Sequence, residues 1–169
     1  MRNRVPYALG AVLFPVLLLG PAAAADYVVI RKEVTVERPA DAVWAKIGNY
    51  CAIREWMGTS CEYASGNGGV GSVRVIANGT VTEPMVAATA RSYTYWQTVG
   101  NLAAANLHGT LAAEADGPNR TKLSYTLFYD QAALPSDEVR ASERARLDGR
   151  FLELLGAMRA LVEGKEGQR

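Results

Sequence analysis

The sequence predicts an α+β domain in which a strongly curved antiparallel sheet of about seven strands wraps around one long C-terminal helix, with two short helices after the first strand. Three observations predict it. Runs rich in β-branched residues alternate with period two, first in "YVVIRKEVTVE" and again between Cys61 and Asp130. Turns rich in glycine and asparagine separate the later runs. A single segment near the C-terminus carries a long apolar stripe of helical period, and it is the element long enough to cover the buried face of such a sheet.

Ahead of the domain, residues 1–25 read as a secretory signal. Arg2 and Arg4 precede the apolar run "ALGAVLFPVLLLG", and "PAAAA" follows with the small side chains Ala23 and Ala25. Cleavage is therefore expected before Asp26. The apolar run is too short for stable membrane insertion, although an uncleaved anchor is the alternative. The expected organisation is a signal over 1–25, one domain over 26–164 and a flexible tail over 165–169. The mature chain would have 144 residues, enough for one sizeable core. The signal carries two arginines and no acid, so 18 basic residues become 16 against 17 acidic ones, a net charge of −1. No concentrated basic surface points to nucleic acid.

The first strand is "YVVIRKEVTVE", alternating at Val34 and Val36. In "RPADAVWAKIGNY" the period changes to that of a helix. Pro39 suits its start, Asp41 its positive end, and Val43, Trp44 and Ile47 share one face. A second short helix is expected through Ile53, Trp56 and Met57. Strands follow, broken by "SGNGG" and by Asn78-Gly79 inside "VRVIANGTV", a pair that favours a type I′ hairpin turn. "RSYTYWQTV", "NLAAANLHGTLAAEA" and, after the turn "ADGPNR", "TKLSYTLFY" read as further strands. The closing helix steps through Leu147, Phe151, Leu154, Met158 and Leu161.

The chain has two cysteines, Cys51 and Cys61. With one histidine and no other thiol they cannot complete a structural zinc site, so no metal and no cofactor are expected. In an oxidising compartment they would form a disulfide. Free thiols, or a catalytic cysteine with His108 as base, remain the alternatives.

Together, "VTVERPADAVWAKIGNYCAIREWM", "NLAAANLHGTLAAEADGPNRTKLSYTLFYD" and "RLDGRFLELLGAMRALVE" cover most of the mature chain, and through them it resembles the START-like, helix-grip superfamily (SRPBCC). That superfamily includes bacterial polyketide cyclase/dehydrase-like proteins, birch-pollen-type allergens and plant abscisic acid receptors. The resemblance implies a cavity between sheet and long helix for an apolar or amphipathic small molecule. It also implies that Leu107 and Gly109, with Leu111 on the same face, turn inward, whereas His108 turns away. Leu123, Tyr125, Leu127 and Tyr129 form the matching face of the next strand. Phe151, Leu154 and Met158 face them from the helix, and Trp56 stands at one end.

Each of these residues also has a plainer reading. Leucine and phenylalanine at these spacings also build ordinary core. Tyr125 and Tyr129 could present a phenol to a ligand. Arg146 and Arg150, four apart on the last helix, could hold a carboxylate or phosphate at the cavity mouth, or form a solvated face with Glu143 and Glu153. Glu83, beside Pro84, is expected at a sheet edge rather than as a base.

The function expected from this reading is an exported, periplasmic binding or carrier protein for a lipid-like or polyketide-like ligand. The alternative is a cyclase or dehydratase-like enzyme using Tyr125, Tyr129 and an arginine in the same cavity. A third class is an interaction module whose cavity is vestigial. No nucleophile elbow or phosphate-binding loop accompanies the fold, and no catalytic residue is assigned.

Overall fold

A computed structural model of the chain describes residues 24–165. Apart from Ala24 and Ala25, the signal expected at residues 1–25 lies outside the described residues, as does the tail beyond Lys165.

Seven antiparallel strands form one sheet: β1 (Tyr27–Val36), β2 (Cys61–Ser65), β3 (Val73–Ile76), β4 (Val81–Thr89), β5 (Ser92–Trp96), β6 (His108–Ala115) and β7 (Thr121–Asp130). Their spatial order is β1-β7-β6-β5-β4-β3-β2, so β2 to β7 form a meander and β1 adds to its far edge. Two short helices, α1 (Ala40–Ile47) and α2 (Ile53–Met57), carry the chain from β1 across to β2. A third, α3 (Asp137–Glu163), is 27 residues long and spans about 40 Å at 1.5 Å per residue.

Local chemistry accounts for the helix ends. Pro39 occupies the cap of α1, Asp41 sits in its first turn, and Val43 and Ile47 are buried. Gly58, with φ +64°, ends α2 in the left-handed conformation that a side chain would resist. Ser136 caps α3 by accepting from Val139 N at 3.2 Å, and Asp137 and Glu138 complement the helix dipole there. The stripe on α3 buries Leu147, Leu154, Leu155 and Met158 against the sheet. Leu155 lies outside the stepping read from the sequence. Lys32 of β1 binds Asp148 of α3 at 2.5 Å, pinning the helix across the sheet.

Two sequence expectations change. The Asn78-Gly79 turn is not the two-residue type I′ form. Ile76 pairs with Val81, and Ala77, Asn78 and Gly79 all adopt positive φ, with Asn78 N donating to Ser60 Oγ at 2.7 Å. The register that the pair implies is nevertheless kept. The strand expected from Asn101 begins only at His108. Residues 101–106 form turns instead, because the alanine run offers no β-branched side chains and Asn106 adopts φ +52°. Leu102 and Ala105 from this stretch plug the core.

Cys51 and Cys61 form a disulfide, tying the segment before α2 to the start of β2. His108 lies on the outer face, stacked between Trp96 at 6.1 Å and Phe128 at 4.7 Å. Among the described residues no helix is long and apolar enough to cross a membrane.

Candidate functional site

Between the inner face of the sheet, α2 and α3 lies a cavity of about 170 Å³. Ile53, Trp56 and Met57 wall it from α2, Leu147, Phe151 and Leu154 from α3, and Ile76, Val81 and Leu107 from the sheet side. Period-two alternation brings Tyr95 of β5 and Tyr125 of β7 to the same space, and the Tyr125 hydroxyl donates to that of Tyr95 at 3.2 Å. The ring of Phe151 meets Tyr125 edge-on at 4.5 Å, joining helix to sheet.

A buried ion pair faces this apolar wall. Arg74 of β3 and Glu83 of β4 are directly opposed in the hairpin. Arg74 donates from Nε to Glu83 Oε2 at 2.8 Å and from Nη1 to the Tyr50 carbonyl at 2.6 Å, and its Nη2 stands 2.6 Å from the same Glu83 oxygen as an ion pair. Three tyrosine rings surround the guanidinium, with centroids 4.1 Å (Tyr50), 5.1 Å (Tyr95) and 5.7 Å (Tyr93) from it. The Tyr50 hydroxyl donates to the Glu83 carbonyl at 2.9 Å, closing the network. Burial opposes the charge on Arg74, but Glu83 and the neighbouring tyrosines together outweigh it and hold the guanidinium's pKa well above its ordinary value. Burial also pushes Tyr95 and Tyr125 well above the usual phenol range, so both remain neutral donors near pH 7.

Glu83 is therefore not the edge feature expected from its neighbour Pro84. Its side chain is only 5% exposed and belongs to the cavity wall. Pro84 is accommodated because β4 departs from regular pairing with β5 just beyond it, between Met85 and Ala87.

Of the residues singled out in the sequence, Trp56, Leu107, Tyr125, Arg146, Arg150, Phe151 and Leu154 line the cavity. Gly109, Leu111, Leu127 and Tyr129 are buried but stand off its wall. Gly109 lies beneath the Tyr95 ring, where a Cβ would come within 2.4 Å of Tyr95 Cζ. Leu111 and Leu127 are fully enclosed core residues, and the Tyr129 hydroxyl is buried without a hydrogen-bond partner. Arg74, Glu83, Tyr95 and Gln97 line the cavity as well; of these only Glu83 had been singled out, and at a sheet edge instead. The signal for the first two was the hairpin register, which sets an Arg opposite a Glu on a face shared with Ile76 and Val81.

The two arginines near the mouth differ. Arg146 grips Glu143 with two parallel bonds of 2.7 and 2.5 Å. Among the described residues Arg150 has only Glu153 as an ionic partner, at 3.7 Å, too far for a hydrogen bond. From the cavity a groove of about 370 Å³ runs along the seam of α2 and α3, sharing Trp56, Met57, Arg150 and Leu154 with it.

A family model described as "Polyketide cyclase / dehydrase and lipid transport" matches residues 27–163. Solved structures share the fold. A solution NMR structure from Thermobifida fusca is 23% identical, with a TM-score of 0.69 over 83% of this chain and 97% of that one. The Zhui aromatase/cyclase from Streptomyces sp. R1128 is 21% identical, with a TM-score of 0.68 over 83% and 96%. Norcoclaurine synthase from Thalictrum flavum, in complex with dopamine and hydroxybenzaldehyde, is 16% identical, with a TM-score of 0.66 over 91% and 99%. No curated protein matches the chain with significance.

Proposed function

The chain belongs to the polyketide cyclase/dehydrase and lipid transport family, and from that premise we propose that it is an exported binding or carrier protein for one small hydrophobic or amphipathic molecule. The observation that carries this reading is the cavity itself, an apolar chamber between sheet and α3 with one ionic wall. At about 170 Å³ it is smaller than the several hundred Å³ typical of drug-sized ligands, yet comparable to cavities of about 150 Å³ that admit a benzene ring. The disulfide suits the oxidising compartment to which the expected signal would direct the chain. Incubating the mature protein with a cell-envelope extract and examining it by native mass spectrometry tests the proposal. A retained small molecule supports it. Persistently ligand-free protein counts against it and favours a vestigial cavity.

A second reading, a cyclase or dehydratase-like enzyme, is favoured by one observation: the Glu83 carboxylate stands on the cavity wall, where a general base could reach a bound substrate. Incubating the protein in heavy water with a small β-diketone tests it. Deuterium uptake at the central carbon faster than in the Glu83→Gln variant would support this reading, and equal uptake would dismiss it.

A further inference from the structure

The cavity offers two unlike polar groups, a carboxylate from the sheet and an arginine from α3 that it shares with the outer groove, and on the binding reading above we propose that the ligand is a single-ring aromatic acid carrying a hydroxyl group. The hydroxyl would meet Glu83 and the carboxylate Arg150.

Arg74 Nε donates to Glu83 Oε2, and Nη2 also lies 2.6 Å from that same oxygen. No described residue donates to Oε1, although the side chain lines the cavity. A carboxylate oxygen held in place on an apolar wall selects a donor from its ligand, because an unpaired charge there is costly. The donor is better a hydroxyl than an ammonium. A cation at Oε1 would sit beside the Arg74 guanidinium and would have to pass Arg146 and Arg150 on entry.

On the α3 wall, Arg150 is the arginine with capacity to spare. Glu143 occupies the fork of Arg146, whereas Glu153 stands 3.7 Å from Arg150. Arg150 lines both the cavity and the outer groove, so its guanidinium can reach an anion at the junction. The apolar walls include Leu107, Leu154 and the rings of Tyr125, Phe151 and Trp56, which suit a flat ring. The volume matches one ring more closely than a fused system or a long acyl chain.

The test is calorimetric titration of the mature protein with 4-hydroxybenzoate, benzoate, phenol, 6-hydroxy-2-naphthoate and oleate. We expect 4-hydroxybenzoate to bind most tightly, with benzoate and phenol each at least tenfold weaker. In Arg150→Gln, a substitution on a half-exposed helix face, 4-hydroxybenzoate should fall to the level of phenol while phenol itself is unchanged. Glu83→Gln should abolish the advantage of 4-hydroxybenzoate over benzoate, and circular dichroism verifies that this variant folds. Should it fail to fold, the ligand series on the native protein decides alone. Equal binding of benzoate and 4-hydroxybenzoate, an unchanged preference in Arg150→Gln, or tighter binding of the naphthoate or oleate would overturn the proposal. If the envelope extract yields a different bound molecule, the ligand class is wrong and the binding reading stands. If neither the extract nor the series binds, both fall.

Discussion

Arg74 and Glu83 are Cα partners across β3 and β4 and meet as a buried ion pair on the cavity wall, with Arg74 Nη2 2.6 Å from Glu83 Oε2. The guanidinium is enclosed by tyrosine rings, and its side chain is 1% exposed. Such a pair fixes the hairpin geometry, but the cost of desolvating both charges offsets much of their attraction.

Arg74→Met should therefore cost about 3–5 kcal/mol, because it strands the Glu83 carboxylate. The double variant Arg74→Met/Glu83→Leu should recover most of that loss. Urea unfolding of the three proteins checks this. Equal losses in single and double variants would show that the pair is worth its full strength and that stranding is not the cause.

Gly109 is required by its cross-strand neighbour, Tyr95. A Cβ there would lie 2.4 Å from both Cζ and the hydroxyl oxygen of Tyr95, whose ring is locked between Arg74 and Tyr125. Gly109→Ala should destabilise by roughly 1–3 kcal/mol through overpacking. Pairing it with Tyr95→Leu should relieve most of that penalty in thermal melts.

The Cys51–Cys61 bond closes a loop over a sequence separation of 10 and holds the segment bearing Trp56. A double Cys→Ser variant should keep the fold and lose about 2–4 kcal/mol. Its ligand affinity should also fall, since the Trp56 wall is released. Intact mass under non-reducing conditions should show no alkylatable thiol in native material.

Tyr93, Tyr95 and Tyr125 are all raised by burial. Because their folded pKa values lie above the unfolded value of about 10, they stabilise the fold fully below that pH and lose this contribution as pH rises through the folded values. Phenolate absorbance from these three should therefore appear together with unfolding in an alkaline titration. Their ionisation in a still-folded protein would contradict this.

Asp26 N donates to Asp130 Oδ1 at 2.9 Å, and its carbonyl accepts from Gln131 N at 2.9 Å. Cleavage before Asp26, as the sequence leads one to expect, would turn that nitrogen into an ammonium already facing a carboxylate. N-terminal sequencing of exported protein should begin at Asp26. Asp130→Asn should weaken the docking of β1 by up to about 1 kcal/mol, as for other exposed pairs.

Periodicity was enough for the elements themselves. Each strand from β1 to β7 and all three helices correspond to a run visible in the residues, and the Asn78-Gly79 pair set the register that places Arg74 opposite Glu83. The same alternation put Glu83 on a face with Val81 and Met85. The charge and Pro84 suggested an edge instead, because a lone carboxylate on an apolar face is too costly unless a partner is supplied from the next strand. Tyr129 shows the converse. It shares its face with Tyr125, yet only Tyr125 reaches the cavity.

The sequence by itself determined the α+β order of elements, which residues of β6 and β7 share a face, and the helical stripe, whereas the inward turn of Leu107 and Gly109 and the outward turn of His108 were implied by the family resemblance. The tertiary structure alone decided that Cys51 and Cys61 lie within bonding reach, that Arg74 and Glu83 form the ionic wall, and how large the cavity is. The reason is physical. Which face a residue occupies follows from local backbone period, whereas a cavity exists where side chains from distant elements stop short of one another, and that depends on how α2 and α3 seat against the sheet.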